Sequence, residues 1–279
     1  MQNKKRSYKD QIMNRLSYQF YLLLIIVCFF LSCSTAKKSP LENAFLWTSG
    51  KTLSWEDVNA IGIESCFTQE PINDSLFSIM KKGNTWKEYT PPTLRDDLRY
   101  LRILHCNAQG FPQMGEMIVN KTISDKVLQI FRNLYEAGYR IEKIKLMEEY
   151  DADDESAMRD NNTSCFNFRF KSNSTTELSK HGAGLAIDIN TLYNPYVKAM
   201  NVDTIKLNTF NYEHSQNGII YDIEPATAKS YAFNRSSRND IPFKIDTCDL
   251  AYKLFVAAGF EWGGSWTTRK DYQHFEYPQ

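Results

Sequence analysis

The segment SKHGAGLAID, residues 179–188, places a histidine and a carboxylate seven positions apart with two glycines between them. Both side chains are zinc ligands, and a catalytic zinc site uses three protein ligands and keeps a fourth position open. Residues seven apart point to opposite faces of a straight strand, and on a helix they lie about 10 Å apart along the axis. His181 and Asp188 therefore converge on one ion only if the chain turns between them. Gly182 and Gly184 permit that turn, because glycine adopts backbone angles that other residues resist.

A third ligand must come from elsewhere in the chain, which has four histidines. His274 is the strongest candidate, because it ends the segment KDYQH and Asp271 stands three residues before it. An acid in that place can serve as the general base for a water at the metal. We interpret His105 and His214 as ordinary core or surface histidines. From the residues alone, a three-ligand zinc site and two ordinary structural histidines both remain open.

The predicted elements around these residues do not follow a regular βαβ order. Apolar alternation predicts strands over 98–106, 115–120, 141–150, 165–170 and 185–189. Apolar periodicity predicts helices over 72–82, 125–138 and 247–259, the second capped by Ser124 and the third by Asp246. We expect a polar loop over 151–164, an irregular stretch over 192–243 and a partly β tail. This mixture predicts the α+β class with a mainly antiparallel sheet and helices packed on it.

Composition limits the classes of function. The chain has 279 residues, of which 42% are hydrophobic and 24% are charged, and this suits one globular domain with an appendage. Acidic and basic residues are equal in number, at 33 each, so there is no electrostatic reason to expect nucleic acid as a partner.

The N-terminus differs from the rest of the chain. Basic residues precede an apolar run over 21–31, which is short for a membrane span but typical of a secretory signal. The run ends in FLSC, which resembles the bacterial lipobox and predicts lipid attachment at Cys33. Residues 1–32 would then be a lipoprotein signal peptide, and 33–64 a tether and N-terminal segment. The alternative is an uncleaved membrane anchor, and either arrangement places the folded part outside the cytoplasm.

Four cysteines remain after the signal and the lipidated residue: Cys66, Cys106, Cys165 and Cys248. An oxidising compartment permits disulfides between them, and the sequence does not rank the three pairings. The chain has no CxxC spacing, so a cysteine metal cluster is not expected.

The segments SKHGAGLAIDIN and GFEWGGSWTTRKDYQHFE together resemble the zinc D-alanyl-D-alanine carboxypeptidases, the D-Ala-D-Ala dipeptidases and the L-Ala-D-Glu endopeptidases. The resemblance implies that His181, Asp188 and His274 bind zinc and that Asp271 is the catalytic base. The dipeptidases use glutamate as the base, so an aspartate here resembles the other branches. The resemblance extends over residues 97–276 and implies a hedgehog/DD-peptidase-like fold, with the zinc peptidase domain spanning 65–279.

The same resemblance suggests residues that contact the substrate. Arg169, at the end of CFNFR, resembles an arginine that neutralises a substrate carboxylate; the alternative is a surface arginine paired with Asp153 or Asp154. Three aromatic residues are candidates either for the cleft wall or for ordinary packing: Trp262, Trp266 and Tyr272.

These observations predict a monomeric, Zn²⁺-dependent peptidase that acts on peptidoglycan stem peptides and is held to the membrane by an N-terminal lipid. The alternative is a catalytically silent lipoprotein that holds zinc and binds murein, and a third reading makes the histidines and acids purely structural. The sequence does not choose between carboxypeptidase and endopeptidase, nor between membranes and leaflets. If Asp271 is not the base, Glu276 is the next candidate.

Overall fold

A computed structural model describes residues 47–91, 94–171, 174–200 and 220–278. The predicted signal peptide, Cys33 and His214 lie outside these residues. Within them the helices are α1 Trp55–Ile61, α2 Asp74–Lys82, α3 Leu94–Asp97, α4 Ser124–Glu136, α5 Asp154–Arg159, α6 Lys229–Ala232 and α7 Leu250–Ala257. None of the helices in these ranges is long and apolar enough to cross a membrane.

The strands of the described residues are short, apart from two of nine residues each. They are β1 Phe67–Pro71, β2 Leu98–Cys106, β3 Pro112–Asn120, β4 Lys143–Ile144, β5 Asn162–Thr163, β6 Ala186–Asp188, β7 Tyr196–Ala199, β8 Tyr221–Glu224, β9 Glu261–Trp262, β10 Arg269–Asp271 and β11 His274–Glu276. They form three antiparallel sheets, ordered β1–β2–β3, β10–β7–β8 and β6–β11–β9, and one parallel pair, β4–β5. The fold is therefore α+β and mainly antiparallel, as predicted.

The largest apolar core joins the first sheet to the strands of the site. Helix α4 buries the stripe formed by Val127, Ile130, Phe131 and Leu134. Helix α7 places Phe255 against both Phe131 and Phe275, and the stacked Phe255 and Phe275 rings are 4.5 Å apart between centroids. Successive residues of a strand point to opposite faces. Since Phe275 anchors one face of β11 in this core, His274 and Glu276 lie on the other face.

Residues 47–64, which the sequence analysis assigned to the N-terminal segment, pack against the first sheet. The Trp47 indole donates a hydrogen bond of 3.0 Å to the carbonyl of Gly115. Leu53 and Val58 are buried in one apolar cluster with residues of β2 and β3. All four cysteines considered for disulfides are unpaired, and of these only Cys248 is exposed.

Several predicted elements differ from the structure. Only Lys143–Ile144 is a strand within 141–150, and residues 165–170 form no strand although Cys165, Phe166 and Phe168 are buried. The predicted loop 151–164 contains α5 and β5, because Ala157 and Met158 are buried on the inner side of a short helix. The stretch 192–243, predicted to be irregular, contains β7 and β8.

Both predicted helix caps were wrong. Ser124 is the first residue of α4, and its hydroxyl donates to the carbonyl of Lys121 and caps no backbone amide. The cap of α7 is Asp249, whose carboxylate accepts from the amides of Ala251 and Tyr252. Asp246 instead accepts from the Cys248 amide in the preceding turn.

Candidate metal centre

Two of the predicted ligands face each other across a pair of strands. In the antiparallel register of β6 and β11, His274 lies directly opposite Asp188. Directly opposed residues project to the same face, with their Cβ atoms about 5 Å apart. Sheet pairing alone therefore brings these two side chains together from positions far apart in the chain.

A turn before β6 adds His181, as the glycines predicted. The amide of Gly184 donates to the carbonyl of His181, and the amide of Leu185 donates to that of Lys180. Gly184 has a φ of +69°, a conformation that residues with a side chain rarely adopt. A Cβ at Gly182 would lie 2.3 Å from the carbonyl oxygen of Arg169, so only glycine fits there.

The three side chains meet at nearly equal distances. Nε2 of His181 lies 3.1 Å from Nδ1 of His274 and 3.2 Å from Oδ2 of Asp188, and Nδ1 of His274 lies 3.0 Å from Oδ1 of Asp188. Ligands at 2.0–2.1 Å from a tetrahedral zinc lie about 3.3 Å from one another. The spacing of this three-ligand cluster therefore fits a zinc ion.

The outer nitrogen of each imidazole has a hydrogen-bond acceptor of its own. Nδ1 of His181 lies 2.7 Å from the carbonyl oxygen of Cys165, and Nε2 of His274 lies 3.1 Å from Oε2 of Glu276. In the neutral ring the outer N–H donates to its acceptor, and the nitrogen that faces the cluster then carries the lone pair. A carbonyl or carboxylate in this place is the usual partner of a metal-binding histidine, and it fixes the ring's tautomer and orientation.

The charges around the cluster favour a cation between the three residues. Burial opposes ionisation of Asp188, but the two histidines outweigh it and hold its pKa well below the usual range. Burial likewise opposes protonation of His274, yet hydrogen bonds to Asp188 and Glu276 raise its pKa to about 10. In the metal-free protein a proton on His274 thus supplies the positive charge that a metal ion would bring.

Asp271 lies beside the cluster but not in it. The metal-ligating group formed by the described residues consists of His181, Asp188 and His274 alone. Oδ1 of Asp271 is buried and has no hydrogen-bond partner there. Burial is the main reason that the pKa of Asp271 rises to about 7. A carboxylate with a pKa near neutrality and an unpartnered oxygen has the properties of a general base.

Sequence reasoning missed the role of Gly263. A Cβ at this position would lie 2.8 Å from Cβ of Asp271 and 3.3 Å from Cβ of His274. Glycine therefore lets the chain pass close behind both residues. The GG pair in the motif EWGGSW was visible in the sequence, but only the folded chain shows what it packs against.

The cluster opens into a cleft of about 770 Å³. Arg169 lines the cleft and forms an ion pair of 2.9 Å with Asp154, which is the pairing expected of a surface arginine. Its binding of a substrate carboxylate stays a prediction. Trp266 also lines the cleft, with its ring centroid 5.4 Å from that of His274. Trp262 and Tyr272 instead pack in the core, where the Trp262 indole donates to the Tyr272 carbonyl.

The remaining histidine in the described ranges, His105, is a core residue as predicted. It is buried in β2, and its Nδ1 lies 2.8 Å from the carbonyl oxygen of Ile141. Burial lowers its pKa to about 4, which keeps the ring neutral at physiological pH.

The comparison with protein families agrees with this geometry. Residues 172–277 match the family described as D-alanyl-D-alanine carboxypeptidase. The matched segment contains the three-ligand cluster and Asp271, whereas Arg169 precedes it. No curated protein and no solved structure matches the chain with significance.

Proposed function

We propose that this protein is a zinc-dependent peptidase that cleaves peptidoglycan stem peptides, because residues 172–277 match the D-alanyl-D-alanine carboxypeptidase family. The observation that carries the proposal is the convergence of His181, Asp188 and His274 at 3.0–3.2 Å, with Oδ1 of Asp271, which has no hydrogen-bond partner, nearby.

The donor set is the type that zinc takes in hydrolases, two imidazoles and one carboxylate. A zinc ion held there supplies Lewis acidity, which lowers the pKa of a water to about 7 and polarises a peptide carbonyl. Cys165 and Glu276 keep the imidazoles in the required tautomer through their outer nitrogens. Asp188 brings the negative charge that offsets part of the ion's charge.

Asp271 moves the proton in this proposal. Its free Oδ1 accepts the proton of the attacking water and later gives it to the amine of the leaving group. Burial is the main reason that the pKa of Asp271 is about 7 in the metal-free protein, and a cation held by the three ligands would favour the ionised form of this carboxylate. The base is then ionised at neutral pH.

The cleft suits an extended, charged peptide. Its lining mixes acidic and basic side chains with hydroxyls and amides, and Trp266 offers one aromatic surface beside the proposed ion. Stem peptides carry both carboxylates and amines, so a lining of mixed charge is complementary to them. We place the protein in the cell envelope, as a lipoprotein anchored through Cys33, where peptidoglycan is within reach.

A catalytically silent protein that holds zinc and binds murein is the second candidate. The same three ligands support it, since they would hold zinc without catalysis. The buried Oδ1 of Asp271, which has no hydrogen-bond partner, argues against it, because burying a polar atom without a partner destabilises the fold and a purely structural site has no need of it.

Digestion of purified muropeptides tests the proposal. Protein beginning at residue 34, loaded with one equivalent of zinc, is incubated with muropeptides and the products are identified by mass spectrometry. Loss of a terminal D-alanine indicates a carboxypeptidase, and cleavage within the stem indicates an endopeptidase. Zinc binding without any cleavage would replace the peptidase proposal with the silent binder.

A further inference from the structure

One face of the β10–β7–β8 sheet forms a wall of the cleft. Its cross-strand register places Arg269, Lys198 and Asp222 in one row and Asp271, Tyr196 and Glu224 in the next. All six residues line the cleft. Arg269 and Asp271 are two residues apart on β10, so the two rows are about 7 Å apart. The row with Arg269 and Lys198 is therefore next to the row that contains the proposed base.

Three of the five cations that line the cleft are satisfied within the protein. Arg169 pairs with Asp154, Lys171 pairs with Glu177, and Lys180 donates to the carbonyl of Tyr277.

Arg269 and Lys198 differ from these three. Within the described ranges neither forms an ion pair or a side-chain hydrogen bond, and Asp222, although opposite Lys198 in register, is not in contact with it as an ion pair. Two neighbouring positive charges thus remain available to an anionic ligand.

The guanidinium of Arg269 is held in place by an aromatic ring. Its Cζ lies 4.4 Å from the centre of the Trp266 ring, and the same ring lies beside His274. Stacking restrains the planar group and leaves its N–H edges free. Those edges bind a carboxylate with two parallel hydrogen bonds. Trp266 therefore contacts both the Arg269 guanidinium and the ring of a metal ligand, and it holds Arg269 at the wall of the cleft.

We propose that Arg269, assisted by Lys198, binds a carboxylate of the substrate peptide and thereby selects the bond that is cleaved. This inference rests on the proposed peptidase function. One peptide residue spans about 3.5 Å, and the rows of the wall are about 7 Å apart. The carboxylate thus lies one or two residues beyond the scissile bond. Arg169 is the weaker candidate, because Asp154 already neutralises it.

Paired substrates test this assignment. Stem peptides are prepared in three forms: unmodified, amidated at the C-terminal carboxylate, and amidated at the glutamyl α-carboxylate. For wild type we expect one of the two amidations to reduce kcat/KM by about 10- to 100-fold, the range of a charge-assisted hydrogen bond. In R269Q, kcat/KM for the unmodified peptide should fall by the same factor, while kcat/KM for the peptide whose amidation matters in wild type should not change. K198Q should show a smaller loss of the same kind.

The two amidated peptides separate the sources of the carboxylate. An effect of C-terminal amidation identifies a terminal carboxylate, and an effect of glutamyl amidation identifies an internal one; either result supports the proposal. If neither amidation changes kcat/KM, the proposal is overturned.

Matched variants separate a specific site from general charge. K171Q removes a cleft cation that is already paired, and R169Q removes the competing arginine. If K171Q and R269Q lose the difference in kcat/KM between unmodified and amidated peptides to the same extent, only the overall charge of the cleft matters and the assignment is overturned. If R169Q loses this difference and R269Q keeps it, Arg169 binds the carboxylate and the assignment to Arg269 is also overturned.

A binding measurement keeps the test independent of turnover. The same peptides are titrated calorimetrically into zinc-loaded protein carrying D271N, with and without R269Q. The carboxylate site is supported if the unmodified peptide binds more tightly than an amidated one and R269Q removes this difference. That result holds even if the wild type cleaves nothing and the peptidase proposal has failed. Equal Kd values for the unmodified and both amidated peptides would overturn the site, even in a protein that cleaves stem peptides.

Discussion

Glu276 accepts a hydrogen bond from the outer nitrogen of His274, the residue two positions before it on the same face of β11. Its place in the sequence makes Glu276 the next candidate for the base, but this contact gives it a different role, the orientation of a metal ligand. The hydrogen bond to His274 is also the main reason that the pKa of Glu276 is lowered.

The contact between Glu276 and His274 predicts the effect of Glu276→Gln. An amide keeps the shape but accepts the hydrogen bond without a charge, so zinc affinity should fall by about 10- to 100-fold. Competition with a zinc chelator measures the change. Glu261→Gln is the matched control, because Glu261 lies opposite Glu276 on β9 and is exposed. A large loss of activity at saturating zinc would instead point to direct participation in proton transfer.

The three-ligand cluster predicts one zinc per chain. His181→Ala and His274→Ala should each lose stoichiometric zinc by elemental analysis, because two ligands cannot complete a tight site. His214→Ala removes a histidine that is not assigned to the cluster and should keep full zinc. Full zinc in both of the first two variants would place the metal elsewhere.

Asp271→Asn separates catalysis from binding. The amide retains the shape of the carboxylate but does not accept a proton, so cleavage of stem peptides should fall by about 10²- to 10⁴-fold. Zinc content should remain at one equivalent, because Asp271 is not a ligand. Asp240→Asn, an exposed carboxylate paired with Arg238, is the control. Parallel loss of zinc and activity would show that Asp271 supports the metal itself.

Zinc affinity should rise with pH. In the metal-free protein the pKa of His274 is about 10, so the ring carries an extra proton throughout the physiological range. Zinc must displace that proton, and the apparent affinity should increase about tenfold per pH unit below pH 10. The pKa of Asp271 is about 7, so this carboxylate is partly protonated below pH 7 and zinc binding there should release part of a second proton. Calorimetry in two buffers of different ionisation enthalpy counts the released protons, and binding without proton release would contradict the charge arrangement.

Gly263→Ala should damage catalysis without removing a functional group. The added methyl group would lie 2.8 Å from Cβ of Asp271, so the base must move. A displacement of about 1 Å at a catalytic group costs on the order of 10²-fold in rate. Gly138→Ala is a suitable control, since its Cβ would meet nothing within 4 Å while the positive φ strains the backbone. Comparable rates in the two variants would rule out close packing behind Asp271 as a requirement for activity.

Much of the site followed from the sequence because its geometry is local. A turn with two glycines and a short apolar strand define where His181 and Asp188 point, and both were visible in ten residues. The partnership of Asp188 with His274 depends on strand register over 86 positions, so the residues alone left it open and the family resemblance decided it. The same limit applies to the short helix α5, whose polar sequence resembles a surface loop until the residues that cover Ala157 and Met158 are known.

The position of β10 and β11 in different sheets has a mechanical consequence. Asp271 ends a strand of the β10–β7–β8 sheet, while His274 begins a strand of the β6–β11–β9 sheet, and only two residues join them. The base is thus supported by the β10–β7–β8 sheet, whereas His274 and Asp188 lie on strands that are fixed to the apolar core through Phe275 and Ile187. Substitutions in the β10–β7–β8 sheet can therefore change the reactivity of the base, and substitutions in the core behind Phe275 can change the affinity for the ion.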